Sequence, residues 1–231
     1  MWFTAIVVAL FSARYFLVPP PLLTFPAAMS YLKLQGPVVE SLQNVAPYLY
    51  NHHRLLLLVH IACGITALVL GLFQFVPSLR SSRPALHRTM GLFYISGTVI
   101  GGITGFPLSF MMLASHSPAI RPLFYPMFTG LVTLSIVWPV STLMALTRAR
   151  QRRFAEHRAW MIRSYALTFA APTVRLIAGP LLLLTGDLVI SLNIAFVSWP
   201  FNLMVAELLI RRAVRRFAST AVSQVVSATT S

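Results

Sequence analysis

The stretch that decides the fold reads His157-Arg158-Ala159-Trp160-Met161-Ile162-Arg163-Ser164-Tyr165. It follows a cluster of arginines and opens a long apolar run, so an ionisable imidazole lies where a predicted membrane helix begins. The pair His87-Arg88 repeats this arrangement earlier in the chain. A basic loop, a histidine and then an apolar run, occurring twice, indicate a chain that crosses a membrane several times with its basic loops on one side.

The composition supports a membrane protein. Hydrophobic residues make up 57% of the 231 residues and charged residues only 10%, whereas a soluble domain has about 25% charged residues. The mean hydropathy is +0.77. We therefore predict an all-α, polytopic membrane helix bundle, with residues 1–217 forming a single transmembrane domain and residues 218–231 a disordered tail.

Apolar runs of roughly 20 residues, the length that crosses about 30 Å of hydrocarbon, predict about six transmembrane helices. The predicted helices are Trp2–Val18, Leu55–Val76, Gly91–Ala114, Leu123–Leu146, Trp160–Leu184 and Leu188–Ile210. Cleavage of the first run as a signal peptide is disfavoured, because bulky Phe11 stands where a small residue is required. Residues 22–54 contain Gly36-Pro37 and Pro47 and are predicted to form an irregular loop outside the membrane, with a short interfacial helix as an alternative for part of it.

Basic residues predict the orientation and exclude another class of partner. Eighteen Lys and Arg stand against four Asp and Glu, a net charge of +14. Most of the arginines follow the second, fourth and sixth predicted helices, which places those loops and both termini in the cytoplasm. Such loops contact lipid headgroups. No basic face alternates with stacking aromatics, so we expect no nucleic-acid binding. The chain is therefore predicted to be an integral, multi-pass membrane protein whose main partner is the lipid bilayer.

Polar and small residues form stripes on the predicted helices. Steps of three and four residues place each stripe on one helix face. The second helix carries His60, Gly64, Ala67, Gly71 and Gln74, and the third carries His87, Gly91, Tyr94, Thr98, Gly101 and Gly105. Small residues can serve close helix packing alone, but ionisable residues within spanning segments are costly and indicate function.

Depth in the membrane determines which histidines can meet. His87 and His157 both begin helices on the cytoplasmic side, and Gln74 ends its helix there, so these three residues are predicted to lie at one level. His60 lies about 21 Å from Gln74 along its helix at ~1.5 Å per residue. A compact site of three histidines is therefore not expected, and His60 would take a separate partner such as His116, His52 or His53.

The pair His87 and His157 is the first candidate site. Two imidazoles on separate helices can ligate a haem iron axially or form hydrogen bonds with a quinone. Nearby arginines suit anionic groups such as haem propionates. The predicted cofactor-binding residues are His87, His157, Arg88, Arg158, Arg163, Tyr94 and Gln74, with His87 and His157 as ligands of a haem b iron and His60 as a second candidate ligand.

Acidic residues are few enough to be placed singly. Glu207 is predicted to pair with Arg163, and Asp187 with Arg175, because unpaired charge is costly in lipid. Glu156 stands beside His157 and could orient its ring. The single cysteine, Cys63, excludes an internal disulfide and a cysteine-only metal site. No Cys-x-x-Cys, phosphate-binding glycine loop, His-Glu-x-x-His or Gly-x-Ser-x-Gly motif occurs.

These motifs resemble a known family. The segments His60 to Gly64, Gly71 to Phe75, His87 to Tyr94, His157 to Tyr165 and Asn202 to Glu207 together resemble the "domain of unknown function 2306" family of multi-pass membrane proteins. The resemblance implies a helical membrane bundle and no established activity. A weaker likeness is to the ascorbate-reducible b-type membrane cytochromes. It implies a bis-histidine haem, and only His87 and His157 fit that scheme.

Three functional hypotheses follow. The first is a haem- or quinone-linked redox protein with its own redox partner, built on the His87 and His157 pair. The second is a transporter or binding protein for a small molecule, with the polar stripes lining a cavity. The third is a structural or assembly protein of the membrane, in which the histidines only satisfy buried hydrogen bonds.

Overall fold

A computed structural model describes the backbone of residues 36–229 and the side chains of residues 36, 38–41 and 43–215. This range contains seven α-helices, a 3-10 turn at Arg121–Phe124 and no β-strand. The helices are α1 (Pro37–Gln74), α2 (Pro77–Ser82), α3 (Pro84–Ala114), α4 (Tyr125–Arg150), α5 (Phe154–Thr168), α6 (Ala170–Thr185) and α7 (Leu188–Thr229).

Five helical segments within the described range are long and apolar enough to cross a membrane: Val38–Gln74, Pro84–Ala114, Arg121–Arg150, Phe154–Thr185 and Leu188–Arg215. The predicted all-α, polytopic architecture is confirmed. The first predicted helix, residues 2–18, lies outside the described residues. The cytoplasmic location of the two termini stays a prediction.

The predicted loop at 22–54 is wrong over its second part, because residues 37–54 belong to α1. Pro37 suits the first turn of a helix, where its missing N–H costs nothing. Val45 and Leu49 lie one turn apart, and their apolar side packs in a cluster with Leu108 of α3. The helix is kinked at His53, where φ is −137° and ψ is 33°. Tertiary packing thus stabilises a helix in a segment whose prolines and polar residues predict a loop.

The fifth predicted span is also wrong as a single helix, because α5 ends at Thr168 and α6 begins at Ala170. Pro172 lacks the N–H that would bond to the carbonyl of Thr168, and its ring clashes with that carbonyl. Backbone hydrogen bonds continue across the break, because the amide of Phe169 bonds to the carbonyl of Tyr165 and the amide of Thr173 bonds to the carbonyl of Phe169. The break lies inside the membrane-spanning segment Phe154–Thr185.

Helices that follow one another along the chain also pack together. Helix α3 lies between α1 and α4, and α4 contacts α5 and α7. Gly186 joins α6 to α7 in the left-handed conformation, with φ at 67°, which glycine adopts without strain. Asp187 then caps α7, its Oδ1 accepting the amide of Ile190 at 2.9 Å.

The last helix is longer than a membrane requires. Helix α7 has 42 residues, which corresponds to about 63 Å at ~1.5 Å per residue. Its backbone is helical to Thr229, in a region where the sequence predicts a disordered tail. The division into a domain of residues 1–217 and a tail of residues 218–231 stays a prediction.

A buried hydrogen-bond network joins α3, α4 and α5. The Tyr94 hydroxyl lies 2.8 Å from Oγ of Ser164 and 3.0 Å from Oγ1 of Thr168. The Trp138 indole donates to Oγ1 of Thr168 at 2.8 Å, and Thr142 meets Ser164 at 2.6 Å. Tyr94 has no exposed surface. Buried polar groups in a membrane need such partners, so this network fixes the relative positions of three helices.

Replacement of Tyr94 by phenylalanine tests this network. We expect the free energy of unfolding to fall by roughly 1 kcal/mol, because hydrogen bonds between membrane helices contribute about 0.6–1.7 kcal/mol. The measurement is the thermal unfolding of both proteins in the same detergent. Tyr125→Phe is the control, since Tyr125 is 48% exposed. Equal effects at both positions would show that the network adds no stability.

Candidate functional site

A cavity of about 330 Å³ lies between α1, α3, α4 and the α5–α6 segment. This volume is within the ~300–1,000 Å³ of small-molecule pockets, which are mostly apolar with a few polar groups. The wall is mostly leucine, isoleucine, methionine and glycine. Its polar side chains are His60, Ser109, Ser135, Trp138, Thr168 and Arg175. The cavity therefore has the makeup of a binding site for a small apolar molecule.

His60 is held in the cavity wall by α3. Its Nδ1 lies 2.9 Å from the carbonyl of Gly101 and 3.3 Å from Oγ1 of Thr104. A carbonyl oxygen only accepts, so Nδ1 carries the proton. Nε2 has no hydrogen-bond partner among the described residues. His60 thus takes its partners from α3 and not from the predicted histidines, of which His116 bonds to Ser41 and His52 to the carbonyl of Tyr48.

The glycines of α3 make room for the rings around the cavity. A Cβ at Gly105 would lie 2.9 Å from Cε1 of His60, and one at Gly101 would lie 2.9 Å from Cζ3 of Trp138. A Cβ at Gly64 on α1 would meet no atom within 4 Å. The glycine stripes therefore do more than allow close helix packing: they admit an imidazole and an indole and leave space beside them.

The first predicted site lies near the ends of α1, α3 and α5. His157 places its Nδ1 2.8 Å from the carbonyl of Ala145 on α4, so that this nitrogen carries the proton. His87 lies in the first turn of α3, in the neighbourhood of His157 and Arg80. The structure thus brings His87 and His157 into one neighbourhood, each on its own helix.

Of the two other residues predicted for this site, Gln74 lies near His87 and Tyr94 belongs to the buried hydrogen-bond network. The amide of Gln74 packs against Gly91, and its Nε2 is buried without a hydrogen-bond partner among the described side chains, as is Nδ1 of His87. Gln74 therefore lies next to the turn of α3 that follows His87. Tyr94 belongs to the buried network instead, where Ser164 and Thr168 engage its hydroxyl.

The predicted arginines divide into one paired and two exposed side chains. Arg163 bonds to Glu207 at 2.5 Å and 3.1 Å, which confirms that predicted pair. Its guanidinium also lies 4.8 Å from the centre of the Trp160 ring. Glu207 therefore neutralises the charge that Arg163 would offer to a cofactor. Arg88 and Arg158 are exposed.

The expected contact between Glu156 and His157 is wrong. The carboxylate of Glu156 pairs with Arg153 and lies 3.3 Å from Nε of Arg148. Two arginines, Arg148 and Arg153, engage this carboxylate, and the carbonyl of Ala145 holds the His157 ring instead. Within residues 36–229, no group of three or more His, Cys, Asp or Glu is arranged to hold a metal ion.

The sequence of both candidate sites lies within the range of a known family model. The family model described as "Predicted membrane protein (DUF2306)" matches residues 57–210. The chain belongs to this family. The match includes His60, His87 and His157, and so covers both candidate sites. Searches of curated proteins and of solved structures find no match. The weaker likeness to b-type cytochromes stays a prediction.

Several residues of the cavity were missed by the sequence analysis of this DUF2306 protein. Ser109, Ser135 and Trp138 line the cavity, yet they carry no motif and belong to no stripe that was singled out. The spacing of Gly101 and Gly105, one turn apart and opposite the His60 face, was the available signal. It indicates a widened gap but does not tell which residues of α4 line it.

A third histidine, His116, lies outside the spanning segments and predicts a pH effect. It is 1% exposed, bonds through Nδ1 to Ser41 at 2.7 Å and stacks on Phe124. Burial, and then the charge of Arg121, lower its pKa below the ordinary value of 6.5. The unfolded chain therefore binds more protons than the folded one in acid, so stability falls as pH drops below about 6.5.

The check is the melting temperature of the wild type and of His116→Gln between pH 8 and pH 5. We expect the variant to lose less stability on acidification than the wild type does. His52→Gln is the control, because His52 is exposed. Parallel pH profiles for wild type and His116→Gln would refute the assignment.

Proposed function

We propose that this protein binds a small, largely apolar molecule of the quinone type inside the membrane, in the cavity beside His60. The observation that carries the proposal is an imidazole fixed through Nδ1 to Gly101 in the wall of a mostly apolar cavity of about 330 Å³. An ionisable side chain within a spanning segment is costly, so its presence there indicates a function. Its second nitrogen is available to a ligand.

The chemistry of quinones fits this cavity better than that of a charged solute. A quinone has a flat apolar ring with oxygens at its edge. The ring matches walls made of leucine and Trp138, and the oxygens at its edge, in the oxidised or the reduced form, would lie among His60, Ser109 and Ser135. Binding a quinone would make the protein a component of membrane redox chemistry. Binding another apolar molecule would make it a carrier or transporter.

The test is an anaerobic titration of the detergent-purified protein with a short-chain benzoquinol, followed by thermal unfolding. Ligand that binds the folded state raises the melting temperature. We expect such a rise in the wild type and its loss in His60→Leu, with His52→Leu as the control outside the cavity. Rises of the same size in all three proteins, or no rise in the wild type, would overturn the proposal.

Haem binding by His87 and His157 is a second candidate function. It is favoured by the bond from Nδ1 of His157 to the carbonyl of Ala145, since histidines that ligate metals usually donate their other N–H to such a group. In that arrangement His157 would offer Nε2 as a ligand, and His87 would supply the second imidazole.

The haem proposal has a spectroscopic outcome. We expect purified protein to show a Soret band that shifts under dithionite, and we expect His87→Ala and His157→Ala each to lose it. Protein purified with a haem supply and showing no Soret band would exclude this function and leave the cavity proposal unaffected.

A further inference from the structure

We infer that the His60 cavity selects molecules that donate a hydrogen bond, so that its preferred ligand is a phenol and, for a quinone couple, the reduced quinol. This inference rests on the proposed function and names the chemical class that the same cavity takes. Its basis is the direction in which the polar side chains of the wall donate their protons.

His60 is the central group. Its Nδ1 donates to the carbonyl of Gly101, which cannot donate in return. A neutral imidazole has one proton, so Nε2 of His60 offers a lone pair and accepts. The alternative tautomer would place the proton on Nε2 and break the bond to Gly101. The packing of the ring edge against Gly105 holds this orientation.

The serine hydroxyls of the wall also donate their protons to backbone carbonyls. Ser109 donates to the carbonyl of Gly105 at 2.8 Å, and Ser135 donates to the carbonyl of Val132 at 2.7 Å. Such bonds to the preceding turn leave only oxygen lone pairs for a ligand. Like Nε2 of His60, these two oxygens can accept a hydrogen bond from a molecule in the cavity.

The remaining polar groups of the wall add no hydrogen-bond donor close to His60. Thr168 donates to the carbonyl of Ser164 at 3.0 Å, and the Trp138 indole N–H is taken by Thr168. Arg175 does carry donors, but it is exposed and lies about 10 Å beyond Thr168 at ~1.5 Å per residue. It therefore lies at the end of the cavity away from Thr168, whereas the part around His60 presents acceptors.

Quinol and quinone differ in their ability to donate hydrogen bonds, and a wall of acceptors distinguishes them by this ability. A quinol has two O–H donors, whereas a quinone has only acceptor oxygens, which would face the lone pairs of His60 and the serines. A polar group left without its partner in a buried site weakens binding. Binding moves no electron and breaks no covalent bond. For a two-electron couple, each tenfold preference for quinol raises the potential of the bound couple by about 30 mV.

The experiment compares three probes of one shape: a short-chain benzoquinol, its quinone and its dimethyl ether, which lacks O–H groups. Affinities are measured by anaerobic calorimetry on the full protein in nanodiscs. We expect the quinol to bind at least tenfold more tightly than the other two. Equal affinities of quinol and ether would overturn the donor inference while leaving the proposed function in place. Absence of binding by all three would overturn both.

Substitutions test which side chain of the cavity accepts the hydrogen bond from the quinol. His60→Phe keeps a ring but has no lone pair, so the affinity for quinol should fall towards that of the ether. His52→Phe carries the same substitution outside the cavity and should retain the preference. If His60→Phe does not fold, Ser135→Ala removes another acceptor and should reduce the preference in part. A quinol preference that survives both substitutions would assign recognition to groups other than these.

Discussion

Replacement of Gly102 by alanine is expected to lower the free energy of unfolding by about 1–3 kcal/mol, the cost of overpacking a well-filled interior. A Cβ at this position would lie 2.6 Å from the carbonyl oxygen of Ser135 and 2.7 Å from Cγ of Pro139. Neither atom belongs to a flexible side chain, so α3 and α4 would have to separate. The loss should appear as a lower melting temperature in detergent.

Gly179→Ala is the matched control for this experiment. A Cβ at Gly179 would meet nothing within 4 Å, and alanine has the higher helix propensity. We expect its melting temperature to stay the same or rise slightly. A decrease of the same size at both positions would mean that any change of a helical glycine is destabilising. The absence of a decrease at Gly102 would mean that α3 and α4 can move apart at little cost in free energy.

Replacement of Gly64 by leucine is expected to weaken ligand binding at least tenfold while the protein still folds. Gly64 lines the cavity, and a Cβ there would meet no atom within 4 Å. A leucine side chain can therefore enter the cavity without a clash at its first carbon, and it occupies the volume that a ligand needs. A tenfold loss of affinity corresponds to about 1.4 kcal/mol. The measurement is calorimetric titration with the short-chain benzoquinol.

Gly179→Leu provides the control for this prediction, since Gly179 also has open space around its Cα but does not line the cavity. Its affinity for the ligand should match that of the wild type. If Gly64→Leu bound the benzoquinol as tightly as the wild type, the ligand would have to lie elsewhere. The His87 and His157 neighbourhood, about 21 Å from His60 along α1 at ~1.5 Å per residue, would then be the next site to examine.

His60 and His157 share one structural device. Each donates its Nδ1 proton to a backbone carbonyl of a neighbouring helix, Gly101 for His60 and Ala145 for His157. A backbone carbonyl does not titrate, so the tautomer is fixed by the packing of two helices. In both places the orientation of the ring depends on how closely the helices approach, which explains why glycine and alanine supply the carbonyls.

The amino-acid sequence by itself determined that this protein is a multi-pass helical membrane protein, because long apolar runs and basic loops follow from local composition. It also predicted the Arg163–Glu207 pair, since depth along a straight helix can be read from residue number. The stripes on α1 and α3 marked the faces that meet, because helical periodicity is a local property as well.

Only the tertiary structure decided where the cavity lies and which tautomer His60 adopts. The cavity forms where Gly64, Gly101 and Gly105 leave space between α1 and α3, and Ser135 and Trp138 reach it from α4. Contacts between helices distant in sequence have no local pattern. The same reason explains the helix at residues 37–54, which is held by packing against α3. Residue spacing predicts a face, whereas the neighbouring helix determines what that face contacts.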